Sequence, residues 1–73
     1  MSFAEDIKNL RKRLFLTQER FAKEIGVSFA SVNRWEGGKS KPNLNAMKSI
    51  KEYCNTHKLE YDKLELEWLK EIN

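Results

Sequence analysis

Residues 17–42 constrain the fold of this chain more than any other segment, because they hold two short helical patterns separated by a glycine. Thr17 is a good N-cap residue, and apolar side chains recur behind it at helical spacing as far as Ile25. Gly26 follows at the position where helices commonly end in a left-handed conformation. Ser28 is a second N-cap candidate. The segment therefore predicts two short helices that meet at a tight corner.

The second helix of this corner differs between its two sides. Val32 and Trp35 lie at helical spacing and are expected to face the core, whereas Asn33 and Arg34 are expected to face outward. A corner of two helices whose outer helix carries Arg and Asn is an arrangement with which proteins enter a DNA groove. The pattern therefore favours double-stranded DNA as the partner.

Three further helices are predicted around the helix-turn-helix over residues 17–36, and no segment carries the signals of a strand. The first opens with the capping-box pair Ser2 and Glu5, and the fourth follows Asn43 as its N-cap. The fifth covers residues 58–72. The expected core positions of these helices are Phe3, Ile7, Leu10, Leu14, Leu44, Met47, Ile50, Cys54 or Tyr53, Tyr61, Leu64, Trp68 and Ile72. Residues 1–73 are thus predicted to form one all-α domain.

Charge is divided unevenly along the chain. Residues 1–56 contain eleven Lys and Arg against six Asp and Glu, whereas residues 57–73 contain three Lys against five Asp and Glu. A basic body with an acidic tail is expected if the body contacts phosphate and the tail has another role. An ordinary solvated surface explains the numbers equally well, so charge alone does not decide between the two.

The sequence contains no set of residues that is adequate for catalysis or for metal binding. His57 is the only histidine and Cys54 the only cysteine, which is too few for a metal site and offers no nucleophile with its base. We expect His57 at the start of the last helix, as a cap or in solvent, and Cys54 as a packing residue. No apolar run approaches the roughly 18 residues of a membrane span. The sequence predicts a cytoplasmic protein that is not an enzyme and uses no cofactor, metal or membrane.

Apolar, small and loop residues of the corner occur in one register, within a stretch from about Ile7 to Cys54. This set comprises Leu16-Thr17-Gln18, Ala22, Gly26, Ser28, Val32 and Arg34-Trp35-Glu36-x-Gly38-Lys39-x-x-Pro42. In this set the chain resembles the Cro/repressor-type helix-turn-helix family of bacterial and phage DNA-binding proteins. The resemblance implies a lambda-repressor-like fold of five helices whose third helix enters the major groove, usually as a symmetric homodimer.

The resemblance also implies base contacts from the exposed face of the third helix, at Ser28, Phe29, Ala30, Asn33 and Arg34. Arg34 can bond the O6 and N7 atoms of a guanine, with a phosphate contact or a surface ion pair as its alternative. Asn33 either pairs with an adenine or lies at the groove edge. Phe29 and Ala30 offer apolar surface that suits thymine methyl groups, although Phe29 fits equally well against the domain or a neighbour.

Phosphate contacts are implied at Thr17, Gln18, Arg11, Lys39, Lys41 and Asn43. Gln18 opens the second helix, whose free N–H groups and positive dipole end attract anions. The alternative interpretation is that Gln18 is an ordinary residue of the first helical turn, without a phosphate contact. Arg11 and Glu36 match an ion pair that, in the family, joins the first helix to the end of the third. Such a pair fixes the angle of the recognition helix and can leave Arg11 near a phosphate.

The functional expectation is a sequence-specific transcriptional regulator that represses by occupying a promoter. The alternative is an antitoxin or adaptor whose acidic, Trp-bearing tail binds a small protein partner such as a toxin. The tail itself has two interpretations. It either closes the core beneath the first and fourth helices or forms, around Trp68, the seam of a homodimer.

Overall fold

The computed structural model describes residues 2–71 and places five α-helices within them. They are α1 (Phe3–Arg13), α2 (Gln18–Ile25), α3 (Phe29–Glu36), α4 (Leu44–Thr56) and α5 (Asp62–Glu71). No strand occurs among these residues, and the all-α prediction is confirmed. The last helix begins at Asp62 rather than at residue 58, because residues 57–61 form the turn that precedes it. The predicted core position Ile72 lies outside the described residues.

Helices α1 to α4 each begin at the polar residue that the sequence predicts as N-cap. The side chains of Ser2, Thr17, Ser28 and Asn43 accept hydrogen bonds from the backbone N–H groups of Glu5 (3.2 Å), Arg20 (3.1 Å), Ser31 (3.1 Å) and Ala46 (2.9 Å). Each cap satisfies one backbone donor that the helix itself leaves without a partner, and contributes about 1 kcal/mol. The helix starts are therefore encoded locally.

The same four helices end in one backbone arrangement, the Schellman motif. At the end of α2, for example, the Gly26 N–H donates to the Lys23 carbonyl and the Val27 N–H to the Ala22 carbonyl. The residue in left-handed conformation at each end is Phe15 (φ 59°), Gly26 (75°), Gly38 (74°) or Lys58 (56°). Glycine adopts this conformation freely, whereas other residues lose about 1–2 kcal/mol. Two of the four ends therefore carry backbone strain.

The core forms where α1, α4 and α5 meet the corner of α2 and α3. Its buried apolar residues are Phe3, Ile7, Leu10, Phe21, Ala22, Ile25, Val32, Trp35, Ala46, Met47, Ile50, Cys54, Tyr61, Leu64 and Trp68. Leu14 and Tyr53 are half-buried against it. The prediction that Leu44 belongs to this core is wrong, because its side chain is 64% exposed. Leu44 is the first residue of α4, and Ala46 and Met47 take the inward positions of that turn.

The tail closes the core. The Trp68 indole N–H donates to the Pro42 carbonyl (2.8 Å), and the Tyr61 hydroxyl donates to the Met47 carbonyl (3.4 Å). This confirms the first interpretation of the tail, in which it closes the core beneath α1 and α4. Trp68 itself is buried within the domain, so its ring is not available to a seam, and a homodimer seam elsewhere on the tail stays a prediction. The exposed apolar side chains of α5 are Leu66 and Leu69.

His57 lies at the end of α4, and its predicted place at the start of the last helix is wrong. It is the C-cap residue of α4, with its ring Nδ1 atom 2.9 Å from the Tyr53 carbonyl oxygen. It is solvent-exposed, as expected. Cys54 is buried, as expected of a packing residue, and burial raises the pKa of its thiol. Within residues 2–71, no helix has the length and apolarity to cross a membrane, and no cluster of three or more metal-ligating side chains occurs.

Candidate nucleic-acid interface

The outer side of α3 is open to solvent. Val32 and Trp35 hold the helix against the core, while Phe29 is 52% exposed and Ala30, Asn33 and Arg34 are exposed as well. Ser28 is exposed at the N-cap, where its hydroxyl is also 2.9 Å from that of Ser31. Through Glu71, α5 leaves this surface uncovered. The predicted base-reading side chains of α3 therefore project into solvent, as contact with base edges requires.

A two-point ion pair ties the end of α3 to α1. The Arg11 Nε and one terminal nitrogen donate to the two carboxylate oxygens of Glu36, at 2.7 and 2.9 Å. The other terminal nitrogen donates to the Leu16 carbonyl at 2.8 Å. The Arg11 side chain is 13% exposed and that of Glu36 is 2% exposed. The ion pair predicted between these residues is confirmed, and it fixes the direction of α3 relative to α1.

The electrostatics of this pair follow from burial and hydrogen bonding. Burial raises the pKa of Glu36, but the hydrogen bonds from Arg11 and Gln18 outweigh it, so that the pKa lies below the ordinary value. The hydrogen bond to Glu36 raises the pKa of Arg11. Both groups are therefore held in their charged forms. Two opposite charges that are partly buried and joined by two hydrogen bonds give a short, directional contact rather than a loose surface pair.

Gln18 extends the ion pair into a network that reaches the outer side of α3. Its amide nitrogen donates to Glu36 at 2.9 Å, and its amide oxygen accepts from the Asn33 amide nitrogen at 3.0 Å. We call these four residues, Arg11, Glu36, Gln18 and Asn33, the clamp. The clamp joins α1, α2 and α3 and orients the Asn33 amide. This bond uses one N–H of the Asn33 amide. A primary amide also has an oxygen acceptor and a second N–H, which is the donor–acceptor set that an adenine edge requires.

The phosphate candidates fall into two groups. Thr17, Gln18 and Arg11 lie at the start of α2 and in the clamp; the Thr17 hydroxyl caps the helix, and Arg11 is enclosed by its partners. Lys39, Lys41 and Asn43 lie between α3 and α4. Of these, Lys39 is exposed and Lys41 half-buried, while the Asn43 side chain caps α4.

A cleft between α3 and α4 brings predicted base and phosphate residues together. Its volume is about 420 Å³, and Arg34, Lys41 and Asn43 are among its lining residues. Arg34 thus lies between the outer face of α3 and the candidate phosphate-binding residues Lys41 and Asn43. From this position a guanidinium can reach either a base or the DNA backbone.

The helix-turn-helix family model matches residues 7–61, which include the whole corner and the clamp. The chain belongs to the Cro/repressor-type helix-turn-helix family. It is therefore a DNA-binding domain in which α2 and α3 form the helix-turn-helix, as the resemblance implied.

Two curated relatives share this helix-turn-helix domain. The chain is 38% identical to the HTH-type transcriptional activator BcrR of Enterococcus faecalis over 53 residues, which is 73% of this chain and 26% of that protein. It is 34% identical to the type II methyltransferase M.SsoII of Shigella sonnei over 58 residues, which is 75% of this chain and 15% of the enzyme. The chain thus spans a minor part of either relative. No solved structure matches it.

Two features of the helix-turn-helix surface were not predicted from the sequence. The bond between Gln18 and Asn33 joins residues of different helices, and only the closed corner brings them together. Phe15 is 95% exposed and has a left-handed backbone conformation, two residues before Thr17, the N-cap of α2. A local signal for Phe15 did exist, since the end of a helical stripe at Leu14 predicts a turn residue at the next position, where glycine is usual.

Proposed function

We propose that this chain is a sequence-specific, duplex-DNA-binding transcriptional regulator that reads the major groove with the outer side of α3. The observation that carries the proposal is the contrast on that helix between a side locked by the clamp and a side open to solvent. A recognition helix needs both, because base edges are distinguished only when the reading side chains are held in one orientation.

The base-reading roles follow the chemistry of the exposed side chains. Arg34 bonds a guanine with its two parallel donors, and Asn33, oriented by Gln18, bonds an adenine. Phe29 and Ala30 contact thymine methyl groups. Ser28 contributes mainly through its position, since its hydroxyl caps α3 and contacts Ser31.

The phosphate-binding roles divide between helix ends and lysines. At the start of α2, the outward N–H groups and the second N–H of the Gln18 amide bind one phosphate. Thr17 and Asn43 support such contacts by capping their helices. Lys39 and Lys41 neutralise phosphates on the other side of α3. Arg11 acts through Glu36, by fixing the angle at which α3 meets the groove.

We further propose that two copies bind two half-sites of a palindrome as a homodimer in the cytoplasm, without catalysis and without a cofactor. We expect the chain to repress transcription by occupying a promoter. The name of the Enterococcus relative describes an activator, and repression and activation are both compatible with the same DNA contacts. The match to the Shigella enzyme covers 15% of it, which fits a shared DNA-binding domain rather than shared catalysis.

A second candidate function is that of an antitoxin or adaptor with a small protein partner, such as a toxin. Leu66 and Leu69 favour it, because they are 55% and 48% exposed on the acidic helix α5. Co-purification with a small basic protein, lost in a Leu66→Asp, Leu69→Asp variant that still binds DNA, would support this role.

Footprinting over the region upstream of the chain's own gene, across a salt series, tests the main proposal. A dimeric regulator protects two patches about one helical turn apart, and protection weakens steeply as salt rises. Protection of a single patch would contradict the homodimer but keep the DNA role. Uniform coverage of all sequences at every salt concentration would refute sequence-specific reading.

A further inference from the structure

Phe15 combines two properties that both oppose its presence in a folded chain. Its side chain is 95% exposed, and its φ of 59° lies in the left-handed region that glycine adopts far more easily. The equivalent positions at the ends of α2 and α3 are Gly26 and Gly38. A glycine at residue 15 would relieve the backbone and remove an exposed aromatic ring. Neither the backbone conformation nor the packing of the chain therefore favours a phenylalanine at this position.

The loop that carries Phe15 is attached to the clamp. Leu16, the next residue, accepts a hydrogen bond of 2.8 Å from Arg11, whose guanidinium also holds Glu36. Thr17, the N-cap of α2, follows directly. Phe15 therefore stands beside the helix start at which the proposed function places a phosphate, and its backbone is fixed to the network that orients α3.

The surroundings of Phe15 suit a DNA backbone better than a protein surface. The last turn of α1 carries two exposed cations, Lys12 and Arg13, while the charge of Arg11 is paired with Glu36. A DNA strand alternates charged phosphates with deoxyribose rings whose C–H faces are apolar, so that a ring next to cationic groups complements it. A protein partner is expected to cover a cluster of apolar side chains. The other large, exposed apolar side chains within residues 2–71, which are Phe29, Leu44, Leu66 and Leu69, belong to α3, α4 and α5.

We propose that Phe15 packs against a deoxyribose of the DNA backbone, next to the phosphate bound at the start of α2. This inference rests on the proposed function and adds an uncharged, sequence-independent contact to it. The salt dependence of DNA binding reflects the number of neutralised phosphates. Phe15 therefore strengthens binding to any duplex without changing the salt slope.

The test is a Phe15→Gly variant, measured for thermal stability and for DNA affinity. The probes are two labelled duplexes of roughly 20 bp, about two helical turns, one of random sequence and one from the chain's own upstream region. We expect the melting midpoint to rise by about 4 °C, because the strain at residue 15 is relieved. We expect the affinity for both duplexes to fall about three- to tenfold, with the salt slope unchanged.

Lys58→Gly is the matched control. Lys58 has a φ of 56° at the end of α4, at the other end of that helix from Asn43 and the proposed interface. Its replacement relieves the same strain, so the midpoint is expected to rise. At physiological salt, where distant surface charges are screened, the affinity for both duplexes should stay within about twofold of the wild-type value.

Three outcomes would overturn the proposal. A Phe15→Gly variant that is more stable and binds both duplexes as tightly as the wild type has lost no DNA contact. A change in the sedimentation mass of the free chain on the same substitution would assign Phe15 to an interface between copies. Failure of the wild-type chain to bind either duplex at low salt would refute the proposed function itself, and the role of Phe15 with it.

Discussion

The two sides of α3 differ in how firmly their side chains are held. On the side that faces α1 and α2, the Glu36 side chain is 2% exposed and accepts hydrogen bonds from Arg11 and Gln18. On the outer side, Arg34 and Phe29 are exposed to solvent. One helix of eight residues thus carries a fixed side and a free side. The comparison separates two ways of affecting DNA recognition. Changes on the fixed side should act through stability and helix angle, and changes on the free side should act on DNA affinity and base preference without affecting folding.

The largest effect is expected from Glu36→Gln, which breaks the fixed side. The substitution leaves the enclosed Arg11 guanidinium without a countercharge, and breaking such a pair costs about 2–4 kcal/mol of unfolding free energy, since this pair is only partly buried. Chemical denaturation measures the loss. Glu24→Gln is the matched control, because the exposed Arg20–Glu24 pair on α2 contributes less than about 0.5 kcal/mol. Equal losses of unfolding free energy in the two variants would show that the clamp stabilises the fold no more than an exposed ion pair does.

Arg34→Ala should give the next largest effect, on DNA affinity rather than on folding. We expect a loss of about 1–3 kcal/mol on the cognate site and a relaxed preference at one base pair, with an unchanged melting midpoint. Arg34→Lys keeps the charge but not the two parallel donors, so it should retain binding to random DNA and lose the preference. If the lysine variant keeps full selectivity, Arg34 contacts phosphate and reads no base.

The fixed side should also respond to pH. The folded chain holds the pKa of Glu36 below its ordinary value of 4.5. The stabilisation by the charged carboxylate is therefore complete above pH 4.5 and is lost as pH falls through the lower folded value. In Glu36→Gln the decline of stability over this range should be shallower than in the wild type. Parallel stability curves for the two proteins between pH 6 and 3 would contradict the assignment.

The smallest effect is expected from Lys39→Ala, on the loop beyond the free side. Removal of one phosphate contact should weaken binding to all sequences alike and reduce the salt slope by about one. Lys70→Ala, on α5, removes the same charge away from the interface and should leave the slope unchanged. A selective loss on the cognate site would mean that Lys39 contacts a base.

Local chemistry determined most of what the sequence could predict. Each N-cap needs only a polar side chain and the N–H three residues later, and each core stripe needs only helical spacing, so Thr17, Ser28 and Val32 were placed correctly. Leu44 was not, because helical periodicity does not show where a helix leaves the core. His57 was misplaced because residues 57–61 have no strong turn residue, and Lys58 takes the left-handed position where glycine would have marked the boundary.

The candidate site was predictable as far as the family register reaches. The Arg11–Glu36 pair followed from that register and is confirmed. The bond from Gln18 to Asn33 depends on the distance between two helices, which no local pattern encodes. The DNA-contact roles themselves stay predictions, since they depend on a partner as well as on the chain.

The burial of Cys54 has a practical consequence for experiments that attach a chemical probe to α3. Its thiol is fully buried, and burial raises its pKa, so little reactive thiolate is available to reagents in solution. A cysteine introduced at Ala30 or Arg34 would therefore be the one that maleimides or DNA-cleaving iron chelates modify. The wild-type background needs no prior removal of its native sulfhydryl, and attachment-directed cleavage could map the orientation of α3 on an operator nucleotide by nucleotide.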